Sequence, residues 1–380
     1  MIFDYSTFQA IWWALVAILL VGFALTDGYD LGAGALMPFV ARTDNQRRVV
    51  LNVLAPHWDG NQVWFILAAG ALFAAWPMVY AAAFSTLYIA MLLVLFALIL
   101  RPGAFEYRSK MESSRWRETW DWLMFIACAV PALLFGVAIG NLFLGLPFEL
   151  DAELRSTYTG GFFGLLHPFA LLAGITSFTL LALHGGTYLQ LRTEGELRER
   201  VVRATRLMAA VMLAAFLLAG LWLAAGIPGY RIEAMPPVTG SIQPLDKTVV
   251  KEAGAWLDNY SRAPLTLLAP VLGILGGIGS FLFSGRGRGV VALLASTVAV
   301  LGVLFTAGVS LFPFIMPSSI DPVSSLTLWD STSSHRTLAI MFWVSLIFVP
   351  IVLLYTSWAF WVMRGRMTEK KVQENARSMY

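Results

Sequence analysis

The hydrophobic positions along this chain fall in long continuous runs, not in the alternating or helical-stripe patterns of half-buried elements. Nine runs can be read: Phe8–Asp30, His57–Ala75, Met78–Leu100, Asp121–Gly145, Phe162–Gly185, Ala204–Ala225, Ala263–Phe283, Gly289–Pro313 and Thr337–Met363. Each is near the ~20 residues that cross ~30 Å of hydrocarbon at a rise of ~1.5 Å per residue. In lipid only helices and closed barrels satisfy every backbone group, and uninterrupted apolar runs of this length predict helices. The expected fold is an all-α polytopic membrane protein, with residues 1–380 as one integral membrane domain. Trp76-Pro77 leaves two readings, a tight hairpin between two spans or a proline kink within one, and hence nine spans or eight.

The charged residues between the runs favour nine. In that arrangement twenty of the 26 Lys and Arg fall on one side, in the loops after the first, third, fifth and seventh spans and in the tail. By the positive-inside rule that side is cytoplasmic, which puts the carboxyl terminus in the cytoplasm and the amino terminus on the opposite side. With eight spans the basic loops after the first and third runs would lie on opposite faces. Three outward loops are long enough to fold: Leu146–Gly161, Gly226–Arg262 and Phe314–Arg336. The middle one, with Pro236-Pro237, is expected to form an ordered cap or an irregular loop.

Composition agrees. Residues are 58% hydrophobic and 13% charged, mean hydropathy is +0.72, and soluble domains carry roughly a quarter charged residues. The start, Met1-Ile2-Phe3-Asp4-Tyr5, has no basic region before its apolar run and no small-residue cleavage site after it, so the first span is expected to be retained. The one cysteine, Cys128, lies inside an apolar run and reads as packing. No basic stripe with interleaved aromatics indicates nucleic acid. Nor is there a Walker loop, a Cys-x-x-Cys pair or a serine-nucleophile motif.

Charges that remain inside spans carry more information, because they are costly there. One cluster is Thr26-Asp27-Gly28-Tyr29-Asp30-Leu31-Gly32, and the other is Pro56-His57-Trp58-Asp59-Gly60-Asn61-Gln62-Val63-Trp64. Both read toward the cytoplasmic ends of their helices. For Asp27 and Asp30 the plain reading is interfacial, hydrated or paired with Arg101 or Arg48. Asp59 stands among His57, Trp58, Asn61 and Gln62 at a helix start that favours its charged form, a setting able to pass protons inward. His57 and Asn61 share one face by the i, i+4 rule. Trp64 follows about 1.4 turns later and faces either a path through the protein or lipid. Gly28 and Gly32 have the spacing that lets a second helix approach closely. His167 and His184 are seventeen residues apart in one span and read as packing or local hydrogen bonds; no metal-ligand set is expected.

The run from Gly22 to Gly32 resembles the start of subunit II of the cytochrome bd ubiquinol oxidases. Ala55 to Trp64, followed by Gly70-Ala71-Leu72-Phe73-Ala74-Ala75-Trp76-Pro77, resembles that family's most characteristic stretch. Arg101-Pro102, Trp120-Asp121-Trp122, Phe312 to Ser319 and Leu328-Trp329-Asp330 fit as well, closest to the proteobacterial form. The resemblance implies two four-helix bundles plus one peripheral helix in a bacterial inner membrane. It implies a terminal oxidase that reduces dioxygen to water with electrons from quinol, building protonmotive force without pumping. A partner, subunit I, would carry two haems b and one haem d, and a small single-span accessory subunit would accompany the pair. The same resemblance puts Asp59 on a proton-uptake path, with His57, Trp58 and Asn61 around it, and Trp64 at the mouth of a dioxygen tunnel. The polar cluster Asp27, Asp30 and Arg101, read from the residues alone, is the candidate support for that path, and the resemblance adds a structural ubiquinone within this subunit among membrane lipids. Without the resemblance, the rivals are a proton-coupled secondary transporter and a scaffold protein. The acids lie near one face with no second copy in the latter half, which disfavours the transporter. The polar start of the second span disfavours the scaffold.

Overall fold

The structure, a computed structural model, describes residues 3–236 and 242–374. The first apolar run does not end at Asp30. Helix α1 (Tyr5–Leu25) breaks at Thr26 and resumes as α2 (Asp27–Val40), the two forming one 36-residue span. At the break the Thr26 hydroxyl donates to the Gly22 carbonyl at 2.7 Å, and the Thr26 N–H shares the same acceptor at 3.0 Å. Such back-bonding bends helices. The restart gives Asp27 and Asp30 the first turn of α2, where the helix field favours carboxylates. Part of the following segment, which reads as loop, is α3 (Asp44–Leu54), with the Thr43 hydroxyl accepting from the Gln46 N–H at its start.

The second and third runs also differ in detail. Helix α4 (Trp58–Ala75) and α5 (Pro77–Thr86) meet at a 119° bend, and α6 (Tyr88–Tyr107) returns. Pro77 has no N–H to continue the α4 ladder but suits the first turn of a new helix, so Trp76-Pro77 is a corner. Met78–Leu100 is therefore two helices and not one. Beyond it run α7 (Ser114–Leu144), α8 (Pro168–Arg192), α9 (Gly195–Gly226), α10 (Asp258–Arg262), α11 (Leu268–Gly285), α12 (Gly289–Leu311), α13 (His335–Val362) and α14 (Glu369–Glu374). Among the described residues eight helical stretches are long and apolar enough to span a membrane, and the bent pair α4–α5 makes nine.

The helices group as two bundles. The broken span α1–α2 packs with α4 and α7, and α6 packs on α7; helices α8, α9, α11 and α12 close on one another as the second set. Helix α8 joins the two, since α2 and α7 both lie against it, and 67% of its most apolar stretch is buried. The same figure for α13 is 6%, and that helix leans on α1 and α4 from outside. Glycine sets the α2–α8 approach. A Cβ at Gly32 would lie 1.8 Å from the Leu181 carbonyl oxygen, and one at Gly185 would lie 2.3 Å from the Ala33 nitrogen.

Each of the three long loops contains a hairpin: β1 (Phe148–Leu150) with β2 (Ser156–Tyr158), β3 (Gly229–Ala234) with β4 (Thr248–Glu252), and β5 (Phe314–Met316) with β6 (Leu326–Thr327). Pro237 in the middle loop lies outside the described residues. A buried ion pair ties the second loop to the third, Lys247 Nζ to Asp330 at 3.0 Å, with Lys247 also donating to the carbonyls of Pro244 and Val323. Burial lowers the Lys247 pKa, and Asp330 pulls against that shift.

The glycine contact makes a test. Gly32→Ala must push α2 and α8 apart at backbone, where no rotamer relieves the clash, and should cost about 1–3 kcal/mol or more. Thermal unfolding of the purified complex should show a lower midpoint. Gly220→Ala, where an added Cβ meets nothing within 4 Å, should leave it unchanged or slightly raised.

Candidate functional site

The polar residues of the first bundle converge where α2 begins. Arg101 of α6 grips Asp27 with two parallel bonds, Nη2 to Oδ1 at 2.6 Å and Nη1 to Oδ2 at 2.9 Å. Both side chains are wholly buried. Bidentate guanidinium–carboxylate geometry is the form of ion pair best able to offset desolvation. The Trp58 ring lies 5.7 Å from the Arg101 guanidinium and stacks on Phe105 at 5.5 Å, closing the site on that side. Asp27 and Asp30 are thus buried, and the interfacial hydrated reading does not hold for either; of its two suggested partners, Asp27 has Arg101.

Asp30, one turn along α2, accepts from Asn61 Nδ2 at 2.7 Å, and the same amide reaches the Tyr29 hydroxyl at 2.8 Å. Tyr29 stacks on Tyr188 of α8 with ring centroids 4.0 Å apart. The second Asp30 oxygen, Oδ1, is buried with no hydrogen-bond partner among the described residues. So is His57 Nε2. His57 precedes α4 as its cap residue, and its ring lies flat on Phe360 of α13, 4.3 Å between centroids. The expected neighbours His57 and Asn61 are both buried, but they meet different partners.

Asp59 parts from the others. It is exposed, on the outer face of α4 with Ile66, Gly70 and Phe73, one helical stripe whose other exposed members are apolar or glycine. Trp64 points inward, 5% exposed, and its ring packs on the α1 backbone: a Cβ at Gly22 would lie 2.7 Å from it. Of the two orientations open for Trp64, lipid is therefore excluded. Sequence reasoning did not select Tyr188 or Phe360, which lie some 160 and 300 residues from the motifs they touch. Tyr29 lies within the Thr26–Gly32 cluster, and its aromatic ring beside two carboxylates was the available signal.

An apolar cavity of about 590 Å³ opens between α1, α4, α5, α6, α7 and α12, lined by residues such as Val16, Leu20, Phe65, Leu92, Leu98 and Leu304. This is in the size range of small-molecule sites. The histidines elsewhere are engaged. His184 bonds Ser296 through Nδ1 at 2.8 Å and the Leu25 carbonyl through Nε2 at 3.1 Å, while His167 Nδ1 accepts from the Phe169 N–H. His184 could ligate a metal only by giving up one of those bonds. Among the described residues no three His, Cys, Asp or Glu side chains gather as a metal site.

Known proteins supply the context. Residues 8–363 match the family model for cytochrome bd terminal oxidase subunit II. The chain is 49% identical over 377 residues to cytochrome bd-I ubiquinol oxidase subunit 2 of Escherichia coli, covering 99% of this chain and 100% of the relative. It is 31% identical to cytochrome bd ubiquinol oxidase subunit 2 of Bacillus subtilis, covering 96% and 98%. Among solved structures, a chain of the bd oxidase from Geobacillus thermodenitrificans has the same fold, with a TM-score of 0.67 at 14% identity over 98% of this chain and 100% of that one.

The ion pair gives a sharp expectation. Arg101→Leu leaves the Asp27 carboxylate buried and unpaired, and should cost about 3–5 kcal/mol. Arg101→Leu with Asp27→Leu should recover most of it. Thermal midpoints of the two variants would decide, and equal loss in both would show that the pair's charge is not what matters.

Proposed function

This chain belongs to the cytochrome bd terminal oxidase subunit II family and is a multi-pass inner-membrane subunit of a quinol oxidase, and on that premise we propose that it delivers protons from the cytoplasm and dioxygen to the haems of its partner, subunit I. The haems supply the electron transfer and dioxygen reduction; the residues of this chain bind, cover and guide.

One observation carries the proton role: Asp59 is an exposed carboxylate on the outer stripe of a membrane helix. Facing lipid, a carboxylate on a membrane helix loses hydration without gaining a partner. Against a polar groove of subunit I it would be solvated by protein and water. The stripe is thus suited to the subunit interface, with Asp59 near the α4 start on the side assigned to the cytoplasm by loop charge. His57, Trp58 and Asn61 line the inner side of the same turn. Asp27, Arg101 and Asp30 hold that turn in place, and the unpartnered oxygen of Asp30 gives a water or a proton a buried foothold.

Dioxygen access belongs at Trp64 in this reading. Dioxygen dissolves in apolar space, and Phe65, the next residue, lines the 590 Å³ cavity. The lining also fits the ring and isoprenoid tail of a structural ubiquinone, which would be held by apolar contact with α1, α4 and α6. Quinol oxidation belongs to subunit I, and a small single-span subunit completes the assembly. The amino terminus is periplasmic and the carboxyl terminus cytoplasmic. Protons taken up inside and released from quinol outside then build protonmotive force without a pump.

Two measurements test this. Asp59→Asn should slow oxygen reduction by about tenfold or more with haem content unchanged; wild-type turnover across about pH 6–8 would remove Asp59 from the path. Trp64→Ala should change the rate of dioxygen binding to the reduced enzyme more than Trp64→Phe, because the two remove ring volume to different extents. Identical rates in both variants and the wild type would exclude a route there.

A further inference from the structure

Outside the polar core, an arginine cluster gathers at one end of the second bundle. Arg198 of α9 donates from Nη2 to the Gly287 carbonyl at 3.2 Å, and its Nε is buried without a partner among the described residues. Arg206, two turns further along α9, lays its guanidinium 4.4 Å from the Phe281 ring centre, beside Gly285. Both arginines therefore reach the turn between α11 and α12, which itself carries Arg286 and Arg288. Arg203, Arg206, Arg286 and Arg288 are exposed.

Two ordinary explanations fall short. Cations near the end of α11 complement its helix field, which accounts for Arg286 and helps account for Arg206. Arg288, however, is the cap residue at the start of α12 and makes no capping bond; its charge opposes the field there. Local acids do not balance the cluster either. Glu196 pairs with Arg200, and Glu194 and Glu199, both exposed, are two charges against five arginines. A positive-inside signal accounts for the number of charges but not for Arg198 and Arg206 reaching the turn that already carries Arg286 and Arg288.

The same ends of the three helices carry bare apolar side chains. Leu207 of α9, Ile278 and Leu282 of α11 and Leu294 of α12 are 59%, 41%, 43% and 61% exposed. A cationic rim with an apolar flank has the two-part chemistry of a phospholipid. We propose that this end of α9, α11 and α12 binds an anionic phospholipid, its phosphodiester held by Arg203, Arg206, Arg286 and Arg288 and its acyl chains against these leucines and isoleucine. A zwitterionic headgroup would present its own cation to the arginines, so an anionic headgroup is selected. Guanidinium–phosphate pairing gives the geometry, and the apolar flank favours a lipid over free phosphate.

Native mass spectrometry of the intact oxidase complex, titrated with phosphatidylglycerol or phosphatidylcholine, tests the site. Phosphatidylglycerol should be retained at least about tenfold more strongly, a difference of about 1.4 kcal/mol. Arg203→Gln with Arg286→Gln and Arg288→Gln should abolish that preference, whereas Arg364→Gln with Arg366→Gln, removing charge elsewhere in the tail, should not. Equal retention of the two lipids by the wild type, or an unchanged preference in the triple variant, overturns the proposal. Complete displacement by millimolar inorganic phosphate would also overturn it, as a free-anion site. If the triple variant does not assemble with its haems, the wild-type lipid comparison alone decides.

Discussion

The first bundle is organised by the pair of Asp27 and Arg101, two full charges sealed from solvent within a membrane protein. Each alone would be prohibitive there, and together they are tolerable only in bidentate register. That register demands that α2 start where it does, facing α6. The start in turn needs the helix break at Thr26, and the break turns Asp30 toward Asn61 of α4. Gly32 and Gly185 then let α8 close on α2 at backbone distance. Helix break, glycine contact and polar core are therefore one solution to one electrostatic problem.

Much of this was legible beforehand because lipid leaves few options. Nine apolar runs and lopsided loop charge were enough to count the spans, and Gly28 and Gly32 already marked a close approach. The failures have local causes. The run Phe8–Asp30 stopped at its two acids because charges ordinarily end a span; here Arg101 neutralises Asp27, and the helix resumes to Val40. Met78–Leu100 looked continuous because hydropathy does not register direction, and the 119° corner at Trp76-Pro77 is a matter of backbone hydrogen bonding. For the candidate site, the residue types were readable but their grouping was not. Helical periodicity put His57 with Asn61, yet His57 lies before the first turn of α4, where that periodicity does not apply.

Helix α4 emerges as the element with two chemistries. Its inner side carries Asn61 into a sealed network, and its outer stripe offers Asp59 to whatever covers it. About half a helical turn thus separates a structural amide from an exposed acid. Tyr188 and Phe360 complete the inner side from distant helices, and nothing in the spacing of the motif predicts them, because stacking partners leave no periodic trace.

The outlying position of α13 bears on how the chain is made. Trp12 of α1 donates its indole N–H to the Leu338 carbonyl of α13, across 326 residues of sequence. At ~5–20 residues per second, α1 waits on the order of tens of seconds before that acceptor exists. During biogenesis the outer flank of α1 and the His57 ring that Phe360 later covers are bare, and the membrane insertion machinery or subunit I has that interval in which to shield them. Assembly of the oxidase therefore has a natural clock, set by the time taken to synthesise the helix that closes this flank.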